Sequence, residues 1–406
     1  MTKMSVKQSF YTSIFLVLTG VCAALHIWKL PPALPSLQSE LAIDLVESGF
    51  LLSTVQIGGM TLGLAVGLFA ERIGLRCCIL IGLSVLTLSS AGATLFDTKL
   101  IILLFRALEG CGFLMVILPV PALIKRIVPP EAVSSIMGFW GCYMGIGAVT
   151  ILLVGSWLLS FDSWRVLWGI LAVITLLVLC IAFMVLPRER YLASNMNSSN
   201  NQLAPTVSTM IRATLSSKRV WMMALVFGTY AAQWSAIVGF LPTIYILGDI
   251  SGPMAGFLTA LVAGSNIIGN LVAGRLLHKD LSPKTLLTTG FVAMIVCAII
   301  AFGVAQNILL QFFAVLLFSA IGGLIPATLF FLAVTFSPGS QTIASTVGWI
   351  QQCSSLGQFL GPPAVAWVVN LLGGWQWSWV GTMVFALLGL VMVWQLKLSN
   401  VVHRAQ

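Results

Sequence analysis

The chain has 406 residues, of which 59% are hydrophobic and only 8% charged, whereas soluble globular domains carry roughly 25% charge. Such a chain must lie in lipid: a spanning helix takes about 20 mainly apolar residues, and the apolar positions suffice for roughly twelve. The net charge of +9 is spread over short loops and makes no single basic face, which excludes a nucleic-acid-binding protein.

Apolar runs broken by charge, Pro or Gly predict twelve helices near 10–30, 46–69, 77–97, 99–124, 133–160, 164–186, 219–246, 253–274, 284–305, 307–335, 341–371 and 376–396. The first run follows Lys3 and Lys7, exceeds a signal-peptide core and lacks a small-residue cleavage site, so it is expected to stay as a span. Only 187–218 is long and polar, with an Asn/Ser tract at 195–201. It divides the chain into an N-terminal six-helix bundle (1–186), a linker (187–218) and a C-terminal six-helix bundle (219–406). The expected fold is an all-α membrane protein of two pseudo-symmetric bundles.

Alternate loops differ in charge. Sixteen of the 20 Lys and Arg fall on the side of the termini and linker; the other four are Lys29, Lys99, Arg106 and Arg165. The positive-inside rule therefore makes both termini and the linker cytoplasmic, in a multi-pass protein of the plasma (bacterial inner) membrane. The eight cysteines and three histidines show no paired spacing, so neither a disulfide framework nor a metal site is expected. No phosphate-cradling glycine loop ending in Lys-Ser or Lys-Thr and no clustered intramembrane catalytic set is present. No enzyme and no cofactor is expected.

The halves repeat. Leu34-Pro35 recurs as Leu241-Pro242 and Gly49-Phe50-Leu51 as Gly256-Phe257-Leu258, both at an offset of 207. The run from Leu103 through Arg106 to Gly110 recurs from Leu316 through Ser319 to Gly323 at an offset of 213. Trp164 and Trp168 recur as Trp375 and Trp379. Parallel repeats of this kind put a binding site between the halves, near the midplane, and let access alternate by rocking.

The loop after the second span reads Gly67, three intervening residues, Glu71-Arg72, then Gly74 and Arg76. This resembles the signature of the major facilitator superfamily, with Glu71 in place of the usual Asp and Leu75 in place of a usual basic residue. The resemblance implies a cytoplasmic gate pinned by Gly67, Glu71, Arg72, Gly74 and Arg76. The second-half copy, Gly274 to Lys284, is degenerate, with His278 at the acidic position. In span 4, Arg106 followed by Gly110 is similar to the superfamily's second motif. Pro121 to Pro129, Ser163-Trp164-Arg165, Phe240-Leu241-Pro242 and the stretch from Gln352 to Pro362 resemble the cyanate and nitroimidazole transporter branch. The glycine-proline motif that drug antiporters carry in span 5 has no counterpart there.

Charges at mid-bilayer cost about 2.5–3.5 kcal/mol each on insertion scales, so Arg106 and Glu109, three residues apart on one helix face, are expected to face the bundle interior. Two readings are open: Arg106 binds substrate and poises a proton on Glu109, or the two form a static ion pair. His26 and Lys29 share a face of span 1; the resemblance implies that a basic residue there contacts an organic anion, while Lys29 could instead snorkel to the outer surface. His26 matches Gln233 by repeat, and such a pair in facing helices suits a central cavity. Tyr143, Tyr230, Trp234, Gln351 and Gln352 are further candidates for substrate contact, each with the alternative of interhelical glue.

The expected function is secondary active transport of a small organic, anionic solute, imported with protons by a monomer in the bilayer. The alternative is proton-driven efflux of drugs or metabolites from an aromatic-lined cavity. The partners are a small-molecule substrate, protons and lipid, and no nucleic acid.

Overall fold

The computed structural model describes residues 6–63, 73–187, 207–305, 307–339 and 342–396. Among the described residues twelve long helices follow one another: α1 (Lys7–Leu41), α2 (Leu45–Gly63), α3 (Leu75–Ala93), α4 (Lys99–Ile127), α5 (Phe139–Leu158), α6 (Trp164–Val185), α7 (Lys218–Leu247), α8 (Gly252–His278), α9 (Pro283–Val304), α10 (Ile308–Thr335), α11 (Ile343–Leu372) and α12 (Trp375–Gln395). Among the described residues eleven of these are long and apolar enough to cross a bilayer. The exception, α11, has 30 residues and no charged side chain, which gives it a length of about 45 Å. Gln351, Gln352, Gln358, Asn370 and the Pro362-Pro363 pair dilute its hydropathy. It packs closely along α7, where a Cβ on Gly357 would lie 2.0 Å from the Gly228 carbonyl oxygen. Below, the end of the molecule where α1 begins and α12 ends is called the terminal face, and the opposite end the distal face.

The elements follow the apolar runs, with three departures. The first span continues past residue 30 to Leu41, because Pro31 and Pro32 do not end it. The helix breaks at Lys29 and restarts at Leu30 with its prolines in the first turn, where the restarted helix needs no N–H from them. An Asp44–Glu47 capping box then starts α2: Asp44 Oδ1 accepts from the Glu47 amide at 2.7 Å and Glu47 Oε2 from the Asp44 amide at 2.9 Å. Second, the polar stretch read as linker contains a short helix, Val207–Leu215, tied to α11 by a 2.7 Å Thr214–Ser345 hydroxyl contact. Third, α5 and α9 each contain a wider π turn, at Ile151–Gly155 and Ile299–Val304.

α1–α6 pack on one another, as do α7–α12, and the halves touch chiefly through α2 with α11, α5 with α8, and α1 with α7. The contacts are tight where small residues allow. Val55 of α2 lies so close to α4 that a Cβ on Gly110 would fall 1.9 Å from its carbonyl oxygen, and the repeat partner Gly323 meets the Asn266 carbonyl of α8 in the same way at 2.3 Å. Without a hydrophobic drive between helices in lipid, such approaches supply the packing.

Gly110→Val should therefore overpack this contact at a cost of about 1–3 kcal/mol and lower the unfolding temperature of the detergent-solubilised protein. Gly141→Ala, where an added Cβ meets nothing within 4 Å, should not. Equal unfolding temperatures would contradict the α2–α4 packing.

Candidate functional site

The centre of the N-terminal half holds four ionisable side chains from two helix turns. His26 and Lys29 lie three residues apart on α1, Arg106 and Glu109 three apart on α4, and each spacing puts both members on one face. All four are fully buried. Glu109 Oε2 accepts from Arg106 at 2.6 Å, and Glu109 Oε1 takes the Lys29 ammonium and faces His26 Nδ1 at 3.7 Å. Lys29 Nζ also donates to Ser90 Oγ at 2.8 Å and sits over the Trp168 ring, 4.1 Å from its centroid. His26 Nε2 lies 2.7 Å from Thr175 Oγ1.

The proline pair beyond the cluster explains the position of Arg106. Pro31 has no N–H, so the carbonyl of Ile27, four residues earlier, lacks its helical donor. Arg106 Nη2 donates to that oxygen at 3.3 Å, and Nη1 to the carbonyl of His26 at 2.7 Å. The guanidinium thus ties the break in α1 to α4 as well as pairing with Glu109.

The cluster faces α3 and α6, which supply Ser90, Trp168 and Thr175, and points away from the C-terminal half. Lys29 does not reach the surface. Twelve residues of α1 separate it from Leu41, about 18 Å of helix, more than a lysine side chain can climb. His26 and its repeat partner Gln233 do not face each other across a cavity: Gln233 is buried and its amide donates to its own helix at Thr229 O, 3.3 Å.

Between the halves the structure forms a small cleft, lined by Ile27, Trp28 and Pro31 of α1, Leu52, Val55 and Gln56 of α2, Ser235 and Gly239 of α7, and Gln358 and Pro362 of α11. None of these is charged, so the cleft lining between the halves is neutral. Gln56 donates across it to Gln358 Oε1 at 3.1 Å. Trp28 meets Trp234 edge to face at 5.4 Å between centroids, and its buried indole N–H has no hydrogen-bond partner. Trp28 and Ser235 are equivalents under the repeat. One turn of α1 therefore presents Ile27 and Trp28 to the cleft and His26 and Lys29 to the charged cluster.

The C-terminal half has a neutral network at the equivalent depth. Trp234 donates to Ser319 Oγ at 3.0 Å, and Asn266 to the Tyr230 hydroxyl at 2.8 Å and to Ser319 O at 2.9 Å. Ser319 stands where the repeat puts Arg106. Tyr143 is half-buried, stacked on Trp140 at 4.5 Å. Gln352 bridges the halves by donating to Met60 O at 2.7 Å, and Gln351 is exposed. Of the gate signature, Gly67, Glu71 and Arg72 lie outside the described residues. Gly74 opens α3 at φ 101°, a conformation that favours glycine, and Arg76 donates to Phe183 O at 2.6 Å.

Sequence reading did not single out Ser90, Thr175, Gln56, Gln358, Ser235 or Trp28. Small hydroxyls in apolar spans were the available signal for the first two; the others share a face only once the helices are assembled.

The sequence pattern of the Major Facilitator Superfamily matches residues 16–248 and 223–404. The chain belongs to this superfamily of transporters and is not an enzyme. It is 24% identical to the benzoate transport protein of Acinetobacter baylyi over 89% of this chain and 84% of that one. To the 2-nitroimidazole transporter of Escherichia coli it is 25% identical, over 85% and 87%. With an uncharacterized MFS-type transporter of Mycobacterium tuberculosis it shares 27% identity, and there it spans only 23% of the relative's length and 38% of its own. Its fold matches the crystal structure of a bacterial homolog of the human lysosomal transporter Spinster, in an inward-facing and unoccupied conformation, with a TM-score of 0.83, 16% identity and coverage of 97% and 98%.

Arg106→Ala should leave the Glu109 carboxylate and the Ile27 carbonyl short of donors inside the bundle. Removing one partner of a buried pair costs about 3–5 kcal/mol, so the variant should unfold at a clearly lower temperature in detergent. An unchanged unfolding temperature would contradict the buried pairing.

Proposed function

We propose that this protein imports a small organic anion together with protons, by rocking of its two halves about the cleft between α1, α2, α7 and α11. The observation that carries this reading is the buried cluster: Lys29 and Arg106 against the single carboxylate of Glu109 leave a net positive charge before His26 is counted. In a low-dielectric interior that charge acts over a longer range than in water, and only one turn of α1 separates it from the cleft. A solute carboxylate in the cleft is attracted across that turn, while its ring or chain contacts Ile27, Trp28, Val55 and Pro362 and its polar edge meets Gln56, Gln358 and Ser235.

Proton uptake in the Glu109 cluster couples the flows, since adding a proton there raises the positive charge that an anion offsets. Each ligand then favours the other, as linkage requires. In this reading 1–186 and 219–406 are the moving bodies, with termini and linker in the cytoplasm and the Gly67–Arg76 loop as the inner gate. Trp234 joins the cleft wall through Trp28, and Tyr143, Tyr230, Gln351 and Gln352 line the path from the terminal face. Aromatic anions are the favoured class, in keeping with the benzoate carrier among its relatives. The neutral, largely apolar lining of the cleft favours a second reading, efflux of uncharged hydrophobic compounds.

Purified protein in liposomes should accumulate labelled benzoate above protein-free vesicles when the outside is acidic. Glu109→Gln should abolish that gradient-driven accumulation yet retain exchange of labelled for unlabelled benzoate. Uptake indifferent to the pH gradient in the unmodified protein, or expulsion of 2-nitroimidazole with no benzoate movement, would overturn the import reading.

A further inference from the structure

Within the cluster, one nitrogen stands apart from every other polar atom that could exchange a proton. Glu109 has both oxygens engaged, Oε1 by Lys29 and Oε2 by Arg106. Protonating it would break a charge-assisted bond and leave two cations facing a neutral acid. Lys29 directs its ammonium to Glu109, to Ser90 and to the Trp168 ring, so all three of its N–H donors are in use. Arg106 stays charged in any protein environment. His26 is different: Nδ1 is buried, has no hydrogen-bond partner and looks toward Glu109 Oε1 from 3.7 Å.

The other ring nitrogen fixes the tautomer. Thr175 Oγ1 donates its single proton to Leu171 O at 2.7 Å, the back-bond along its own helix. The 2.7 Å contact with His26 Nε2 must then run the other way, from Nε2–H to Thr175 Oγ1. Neutral His26 thus carries its hydrogen on Nε2 and a free lone pair on Nδ1.

We infer that His26 takes up the coupling proton, on Nδ1, with Glu109 as the carboxylate that receives the new N–H. The proton adds to a lone pair and breaks no existing hydrogen bond; a small shift of the ring closes the gap to Oε1. The charged groups facing His26 are Glu109 and Arg106 from α4 and Lys29 from its own helix; α3 and α6 contribute the uncharged Ser90 and Thr175, and Cys22 Sγ touches Thr175 at 3.4 Å. Two cations oppose the imidazolium and one carboxylate supports it. Charging of His26 is therefore favoured when an anion occupies the cleft on the far side of the same turn of α1. The inference rests on the proton-coupled reading above and names the atom through which it operates.

The test needs no transported solute. Protein labelled with ¹⁵N-histidine, carrying His278→Gln and His403→Gln so that His26 is its one histidine, is placed in phospholipid nanodiscs and followed by nitrogen NMR as the pH falls through the range around 6.5 where histidines titrate. The expected result is one protonated and one bare ring nitrogen at alkaline pH, the bare one being Nδ1, with conversion of that signal on acidification and loss of the conversion in Glu109→Gln. Thr175→Val should mix the tautomers, which a histidine held only by packing would not do. A ring protonated on both nitrogens throughout would overturn the inference. So would a bare Nδ1 that persists while the Glu109 carboxyl band titrates in the infrared, an outcome that moves the proton to Glu109 and leaves the coupled reading intact. No titration at either group would overturn both.

Discussion

The organisation of the N-terminal half depends on one constraint: charge enclosed in a bundle that lies in lipid must find its partner there. Water cannot satisfy it, and an isolated charge at mid-bilayer is costly. Glu109 meets the constraint by dividing its two oxygens between Lys29 of α1 and Arg106 of its own helix. Lys29 also reaches Ser90 and the Trp168 face, and two Arg106 nitrogens donate to carbonyls at the break in α1, while Arg106 Nε has no hydrogen-bond partner. A chain of polar contacts thus runs through α3, α1, α4 and α6 without reaching solvent, and the position of each helix is set by what its neighbours need to pair.

The two halves, alike in fold, use this depth differently. Arg106 has Ser319 as its repeat counterpart, and the ionic cluster on one side becomes the Trp234–Ser319–Asn266–Tyr230 network on the other. Hydrogen bonds of that kind stabilise helix contacts modestly, about 0.6 kcal/mol on average in one measured membrane protein; they hold position without storing charge. In the proposed import, response to charge, whether of a proton or an anion, is accordingly concentrated in the N-terminal half. The cleft lies between a half with an ionic cluster at this depth and one with a neutral network there, and α1 has a face on each side of the boundary.

Much of the fold was legible in the sequence, because apolar runs of spanning length and the positions of Pro, Gly and Trp carry the signal directly. Span ends were less so. Pro31 and Pro32 read as a terminator, yet proline is tolerated in a first helical turn, and with the freed Ile27 carbonyl taken by Arg106 the span ran on to Leu41. α11 was legible by its lack of charge although its glutamines lower its hydropathy. At the site, the i, i+3 pairs His26–Lys29 and Arg106–Glu109 were visible as faces of single helices. Their meeting was not, since it depends on how α1 and α4 rotate about their axes, which only packing decides. The same limit hid Gln56 and Gln358, each unremarkable on its own helix and 302 positions apart in the chain.

The most direct test of the account is a double-mutant cycle on Lys29 and Glu109, read as unfolding free energy of the protein in detergent for Lys29→Met, Glu109→Gln and the pair together. If the carboxylate and the ammonium are each other's buried partner, Glu109→Gln strands the ammonium at a cost of about 3–5 kcal/mol, adding Lys29→Met restores part of that loss, and the double variant is destabilised by much less than the sum of the two single changes. Additivity within about 0.5 kcal/mol, the behaviour of independent sites, would contradict it.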